Sequence, residues 1–217
     1  MQFKVNPPKV FGVLIILLLT FSSTSAQRQH VKRTRPAALP CALTLEQSPQ
    51  FRGIRLGDNL STLISKFPKL AAKYKEAYRD GSIAPPVFLT ADEDSGNPAF
   101  EGVKLIVLGF LDERVASVRV EYDENDFKPR SIDDFTSQVA KQFGLPNSWK
   151  PAYPSRQITC KGFEVTVGYG GELNLAPSVA LIYTALEKEI ERRTTEIERR
   201  EAERQQMEEK KRRTYRP

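Results

Sequence analysis

Histidine is almost missing from this 217-residue chain: there is one, His30, close to the start. A Ser-His or Cys-His nucleophile pair therefore has no base in the remainder of the chain. Cysteine is scarce as well, with Cys41 and Cys160 the only two, so a zinc site lacks its usual ligands. Tryptophan occurs once, at Trp149, where packing in a core or loop is the expected role. No apolar run reaches the ~20 residues that a helix needs to cross a bilayer. The glycine spacings of dinucleotide and P-loop sites are absent too. What these gaps leave is a chain with few means for nucleophilic, zinc or nucleotide chemistry.

The start of the chain is the first positive signal. Lys4 and Lys9 precede an apolar run from Val10 to Leu19, and Thr24-Ser25-Ala26 offers small residues for cleavage. Residues 1–26 thus read as a secretory signal peptide, and the protein is expected to be periplasmic or extracellular after cleavage, with an uncleaved membrane anchor as the less favoured alternative. No cysteine directly follows the apolar run, so a lipid anchor is not expected. In an oxidising compartment two cysteines invite pairing, and a Cys41–Cys160 disulfide is the expectation, with two buried thiols as the alternative.

The net charge of +6 suggests nucleic acid until it is divided by segment. Residues 27–40 form a basic linker with Arg28, Lys32, Arg33 and Arg35, and residues 186–217 end on Lys210, Lys211, Arg212 and Arg213. Once the ends are set aside, residues 41–185 are slightly acidic, and their cations are not grouped with aromatics. No nucleic-acid partner is expected. The basic ends suit an anionic surface such as lipid, or they are simply solvated tails.

Residues 41–185 read as an α+β body. In the stretch FRGIRLGDNLSTLISKFP, residues 51–68, Ile54 and Leu56 alternate with Arg55 as in a strand, and Gly57 permits a turn. Asp58 is placed to cap a helix whose Leu60, Leu63, Ile64 and Phe67 share one face. A second helical piece covers Leu70 to Arg79, and a short strand is possible at Val87 to Leu89. A hairpin follows, from Val103 to Phe110 and from Arg114 to Tyr122. Ser131 opens another helix with Ile132, Phe135, Val139 and Phe143 on its inner stripe, stopped by Gly144 and Pro146. Strands at Gln157–Cys160, Phe163–Tyr169 and Val179–Thr184 close the body. The order is helix then strands, twice, with units of about 51–122 and 131–185. The expected fold is an antiparallel sheet with helices on one face.

From Leu186 onward the chain is nearly all Glu, Arg, Lys and Gln, without proline or glycine before Pro217. Glu189/Arg193, Glu196/Arg200 and Glu209/Arg213 stand at i, i+4, so a long charged helix is expected as a tether. Leu186, Ile190, Ile197 and Met207 fit a coiled-coil register that Arg193, Arg200 and Arg204 interrupt.

Arg52-Gly53 and Leu56-Gly57 before the helix, with the repeated helix-then-strands order, resemble small exported bacterial α+β modules. These are the SmpA/OmlA outer-membrane-assembly lipoproteins and the tandem repeats of β-lactamase-inhibitor protein. The lipidated cysteine of the former is absent, and no functional residue transfers. The resemblance implies a non-catalytic module that binds another envelope or secreted protein.

Two further features bear on function. Val103–Phe110 is apolar on both sides, which suggests a partner strip formed by Ile106, Leu108 and Phe110 and framed by Arg119, Glu121 and Glu164. Acidic clusters occur at Asp92, Glu93 and Asp94 and at Asp123, Glu124 and Asp126. Their spacing does not match a helix-loop-helix calcium site, and no metal or cofactor is expected. They leave one enzyme class open, a small secreted hydrolase that uses carboxylates.

Overall fold

The computed structural model describes residues 40–94, 96–170 and 175–215. The expected signal peptide and basic linker, with Arg28, His30, Lys32, Arg33 and Arg35, lie outside the described residues. The fold is α+β. Helices α1 (Leu60–Ile64) and α2 (Leu70–Ala77) lead into strands β1 (Val87–Thr90), β2 (Val103–Leu111) and β3 (Arg114–Tyr122). Helix α3 (Ile132–Phe143) leads into β4 (Lys150–Ala152), β5 (Ser155–Thr159), β6 (Phe163–Gly170) and β7 (Leu175–Tyr183), and α4 (Thr184–Thr214) ends the chain. The strands form one antiparallel sheet in the order β1-β2-β3-β7-β6-β5-β4. Pairing of β3 with β7 joins the two expected units into a single sheet over a shared core.

Period-two alternation places Ile106, Leu108, Val118, Val120, Val165, Val167, Val179 and Leu181 on one face of the sheet, all but sealed from solvent. Leu60 and Leu63 from α1, Phe67 from the connection, Leu70 from α2 and Phe135 and Val139 from α3 join the same core. Each such side chain gives ~1.5–3 kcal/mol on leaving water. The Tyr78 hydroxyl donates to the Phe110 carbonyl at 2.7 Å and fixes the end of α2 on β2. The Ser131 side chain accepts from the Asp134 amide at 3.1 Å and caps α3, and Gly144, at φ 64°, closes its other end in the left-handed conformation.

Cys41 and Cys160 are joined as expected, across 119 residues of chain. The bond ties the entrance of the body to the end of β5, and closing so long a loop stabilises by roughly 4–5 kcal/mol on the chain-entropy model.

Two local expectations are corrected. Residues 51–57 do not form a strand: Phe51 and Ile54 exchange both backbone bonds at 2.9 Å around a two-residue turn. Its central residues, Arg52 at φ 52° and Gly53 at φ 81°, have the positive φ pair that such a turn requires. Nor does Asp58 cap α1. Its Oδ2 accepts from the Arg55 amide at 2.9 Å, while the Leu60 amide donates to the Glu113 carbonyl at 2.8 Å.

Both sheet edges are short. β1 follows Pro85-Pro86, and β4 contains Pro151, which has no amide to offer a neighbouring strand. Such edges resist pairing with another chain.

Candidate functional site

The expected partner strip requires correction. Ile106, Leu108 and Phe110 are completely buried, and they do not share a face with Arg119 and Glu121. Around the β2–β3 turn Phe110 pairs with Val115, but Gly109 pairs with Ser117, so Ala116 is an extra residue. This bulge shifts the register by one, and a one-residue shift exchanges the faces of everything beyond it. A regular hairpin would set Ile106 beside Arg119. The bulge sets Ile106 beside Val120 and Leu108 beside Val118, against the helices, and Val107 beside Arg119 on the other side.

That other side carries mostly half-buried and exposed side chains. Across it run, in register, Phe88, Val107, Arg119, Ala180, Thr166, Gln157 and Lys150. A flanking row carries Leu105, Glu121 and Ser178, and another carries Ser117, Ile182 and Glu164. Phe88 is 48% exposed, while Leu105, Val107, Ala180 and Ile182 are half-buried. The Arg119 guanidinium meets Glu121 at 3.0 Å and crosses the middle of the face. Gly109 keeps its row flat, since a Cβ there would lie 2.5 Å from the Ser117 hydroxyl. Phe88 and Val107 were missed as surface residues. The signal for Phe88 was the Pro85-Pro86 pair, which marks an edge strand with one wet face.

The tail is a helix of 31 residues. Leu186, Glu189, Ile190, Arg193 and Glu196 form its half-buried stripe. Arg193 binds both oxygens of Asp112, in the β2–β3 turn, at 2.8 and 2.7 Å. The arginine that interrupts the apolar register is thus a tie to the body. From Ile197 to Tyr215 every residue is exposed, including Lys210, Lys211, Arg212 and Arg213. Arg192 and Arg193 hold the Glu189 carboxyl down at about 2, and Arg199 and Arg200 do the same to Glu196.

The acidic clusters have structural work. Glu93 binds Lys73 at 2.7 Å and the Thr90 hydroxyl at 2.9 Å, Asp94 accepts from Asn97 at 2.7 Å, and Asp123 accepts from the Asn125 amide at 2.8 Å. Asp126 closes the same turn through its amide to the Asp123 carbonyl. Asp92, Asp123 and Glu124 do line one depression of about 410 Å³ with Lys104. Among the described residues no group of three or more such side chains is placed to hold a metal ion. Trp149 packs against the core. No described helix is long and apolar enough to cross a membrane. No protein-family model matches the chain, and no curated protein or solved structure is significantly similar to it.

Proposed function

We propose that the chain is an exported, non-catalytic interaction module that docks a folded partner protein on the open face of its sheet. The observation that supports this best is the asymmetry of the sheet. One face is filled by three helices, while the other offers an exposed Phe88 beside Leu105 and Val107, then a polar field of Arg119, Glu121, Thr166, Gln157 and Glu164. An apolar spot bordered by paired polar groups is the composition of a transient protein interface. With Arg119 and Lys150 offset by Glu121 and Glu164, the face lacks the cationic excess that a nucleic acid or anionic bilayer would require. Export is supported by the signal-like residues 1–26 and by the disulfide, which persists in oxidising surroundings. Helix α4 is the tether, and Lys210, Lys211, Arg212 and Arg213 give it a basic foot for an anionic surface.

The test is affinity capture with the full chain, followed by titration of the purified pair. Phe88→Asp and Arg119→Glu should each weaken binding ~10-fold or more while the melting temperature stays put. A partner that binds both variants as tightly as the parent would end this reading. The second reading, a carboxylate hydrolase, has one observation in its favour, the shared depression of Asp92, Asp123 and Glu124. Hydrolysis of a glycan or peptide that is lost in Asp92→Asn and Asp123→Asn would put it first.

A further inference from the structure

Beyond the open face, we propose that the cavity between the Phe51–Ile54 turn, the end of α1 and the Asn97–Ala99 turn binds a small amphiphilic carboxylate. Arg52 would grip the carboxyl, assisted by Lys66. The proposal does not depend on the docking face, which lies on the other side of the sheet from α1.

The cavity measures about 550 Å³ and is lined by Arg52, Lys66, Phe67, Asn97, Pro98 and Ala99. Three segments distant in sequence build it, and hydrogen bonds hold them in place. Lys66 Nζ donates to the Gly53 carbonyl at 2.7 Å, Asn97 Nδ2 donates to the Lys66 carbonyl at 2.9 Å, and Asn97 Oδ1 accepts from the Ala99 amide at 3.0 Å. The walls are therefore set before any ligand arrives, which lowers the ordering cost of binding.

Two cations and no carboxylate line the cavity, and Phe67, Pro98 and Ala99 supply an apolar surface. Asp94, the acid nearest in this network, is engaged by Asn97. That combination suits an anion with a hydrocarbon body better than inorganic phosphate. Lys66 spends one of its three N–H donors on Gly53 and keeps two.

Arg52 is the central observation. It holds φ 52°, a conformation that glycine or asparagine adopts at less cost than arginine. Asp112 holds φ 48° in a similar turn, and there the side chain has an evident use, the paired bond to Arg193. The Arg52 guanidinium sits 5.9 Å from the centre of the Tyr122 ring, with no ion pair or hydrogen bond to any described residue. Tyr122 belongs to an adjoining depression with Phe51, Val120 and Phe143, and Arg52 lines both that depression and the cavity that Lys66 lines. A guanidinium at this border, its planar fork of donors unused, can turn to a carboxylate in the cavity.

The probe is octanoate, compared with 1-octanol and acetate. Protein produced from the full-length chain would be titrated by calorimetry, and backbone amide shifts would be followed by NMR. Octanoate should bind saturably, with shifts centred on Gly53, Lys66 and Ala99. Octanol and acetate should each bind ~10-fold more weakly, because each lacks half of the recognised chemistry. Arg52→Gly should weaken octanoate binding ~10-fold while leaving the melting temperature equal or higher, since glycine relaxes the turn. Lys66→Gln, which keeps a donor that can reach the Gly53 carbonyl but removes the charge, should weaken binding about threefold. The proposal is overturned if octanoate does not saturate below about 10 mM, or if octanol binds as well. Full affinity in Arg52→Gly, or shifts that map to another surface, overturns it equally.

Discussion

The body and α4 are both regular structure, but different forces hold them. In the body the strands and the three short helices bury their apolar stripes against one another, and Cys41–Cys160 crosses the result. Helix α4 has no buried residue along its 31 positions. Its order comes from exposed ion pairs one turn apart, such as Glu189 with Arg193 and Glu196 with Arg200, each weak alone and screened by solvent. The body should therefore respond to changes in packing, and the tail to charge.

The largest effect that sharpens this contrast is Leu108→Glu. The side chain is fully buried under the helices, so an unpaired carboxylate there costs about 4 kcal/mol or more. Loss of the cooperative melting transition is the expected result. A folded Leu108→Glu protein would mean that this face is not core. Next comes the disulfide. Intact-mass analysis after alkylation without reductant should show no labelled thiol, and Cys160→Ser with Cys41→Ser should lower stability by roughly 4 kcal/mol in denaturant titration.

Truncations divide α4 itself. Among the described residues, ending the chain after Ile197 removes only exposed ones, and it should move the melting temperature by less than about 1 °C. Ending it after Ala185 also removes Ile190 and the Arg193–Asp112 pair, and a fall of about 3–6 °C is expected. Equal effects from the two truncations would erase the distinction between a docked and a projecting half.

Much of this layout was legible in residues 41–217, and what was hidden has physical causes. The cap at Ser131, the stripe of α3 and the alternation of β6 are local patterns, and each is where local chemistry puts it. The bulge at Ala116 is not local in that sense. Ala116 continues the alternation of Val118 and Val120 without a break, and only the pairing with β2 shows that Val115 must also point inward. Hence the strip Ile106, Leu108 and Phe110 was assigned to the wrong side. β4 was hidden by Pro151 and Pro154, which argue against a strand unless it is an edge. The site at Arg52 was hidden because its partners, Lys66 and Asn97, come from separate turns that no spacing rule connects.

The smallest effect expected is the response of α4 to acid, and it tests the charge half of the contrast most directly. Glu189 and Glu196 are each gripped by two arginines and held at about 2, below the ~4.3 of a free glutamate. A carboxyl depressed in the folded state stabilises fully above its unfolded value, and that contribution is lost as pH falls through the folded one. The helical signal that full-length protein shows over the chain ending at Ala185 should thus hold at pH 6, decline below about pH 4.5 and be weakest near pH 2. Molar salt at pH 7 should weaken the same signal by screening these exposed pairs, while the near-ultraviolet spectrum of the body stays unchanged. If the difference spectrum ignores both acid and salt, intrinsic helix propensity rather than ion pairing maintains α4, and its charge pattern is free to serve the surface it meets.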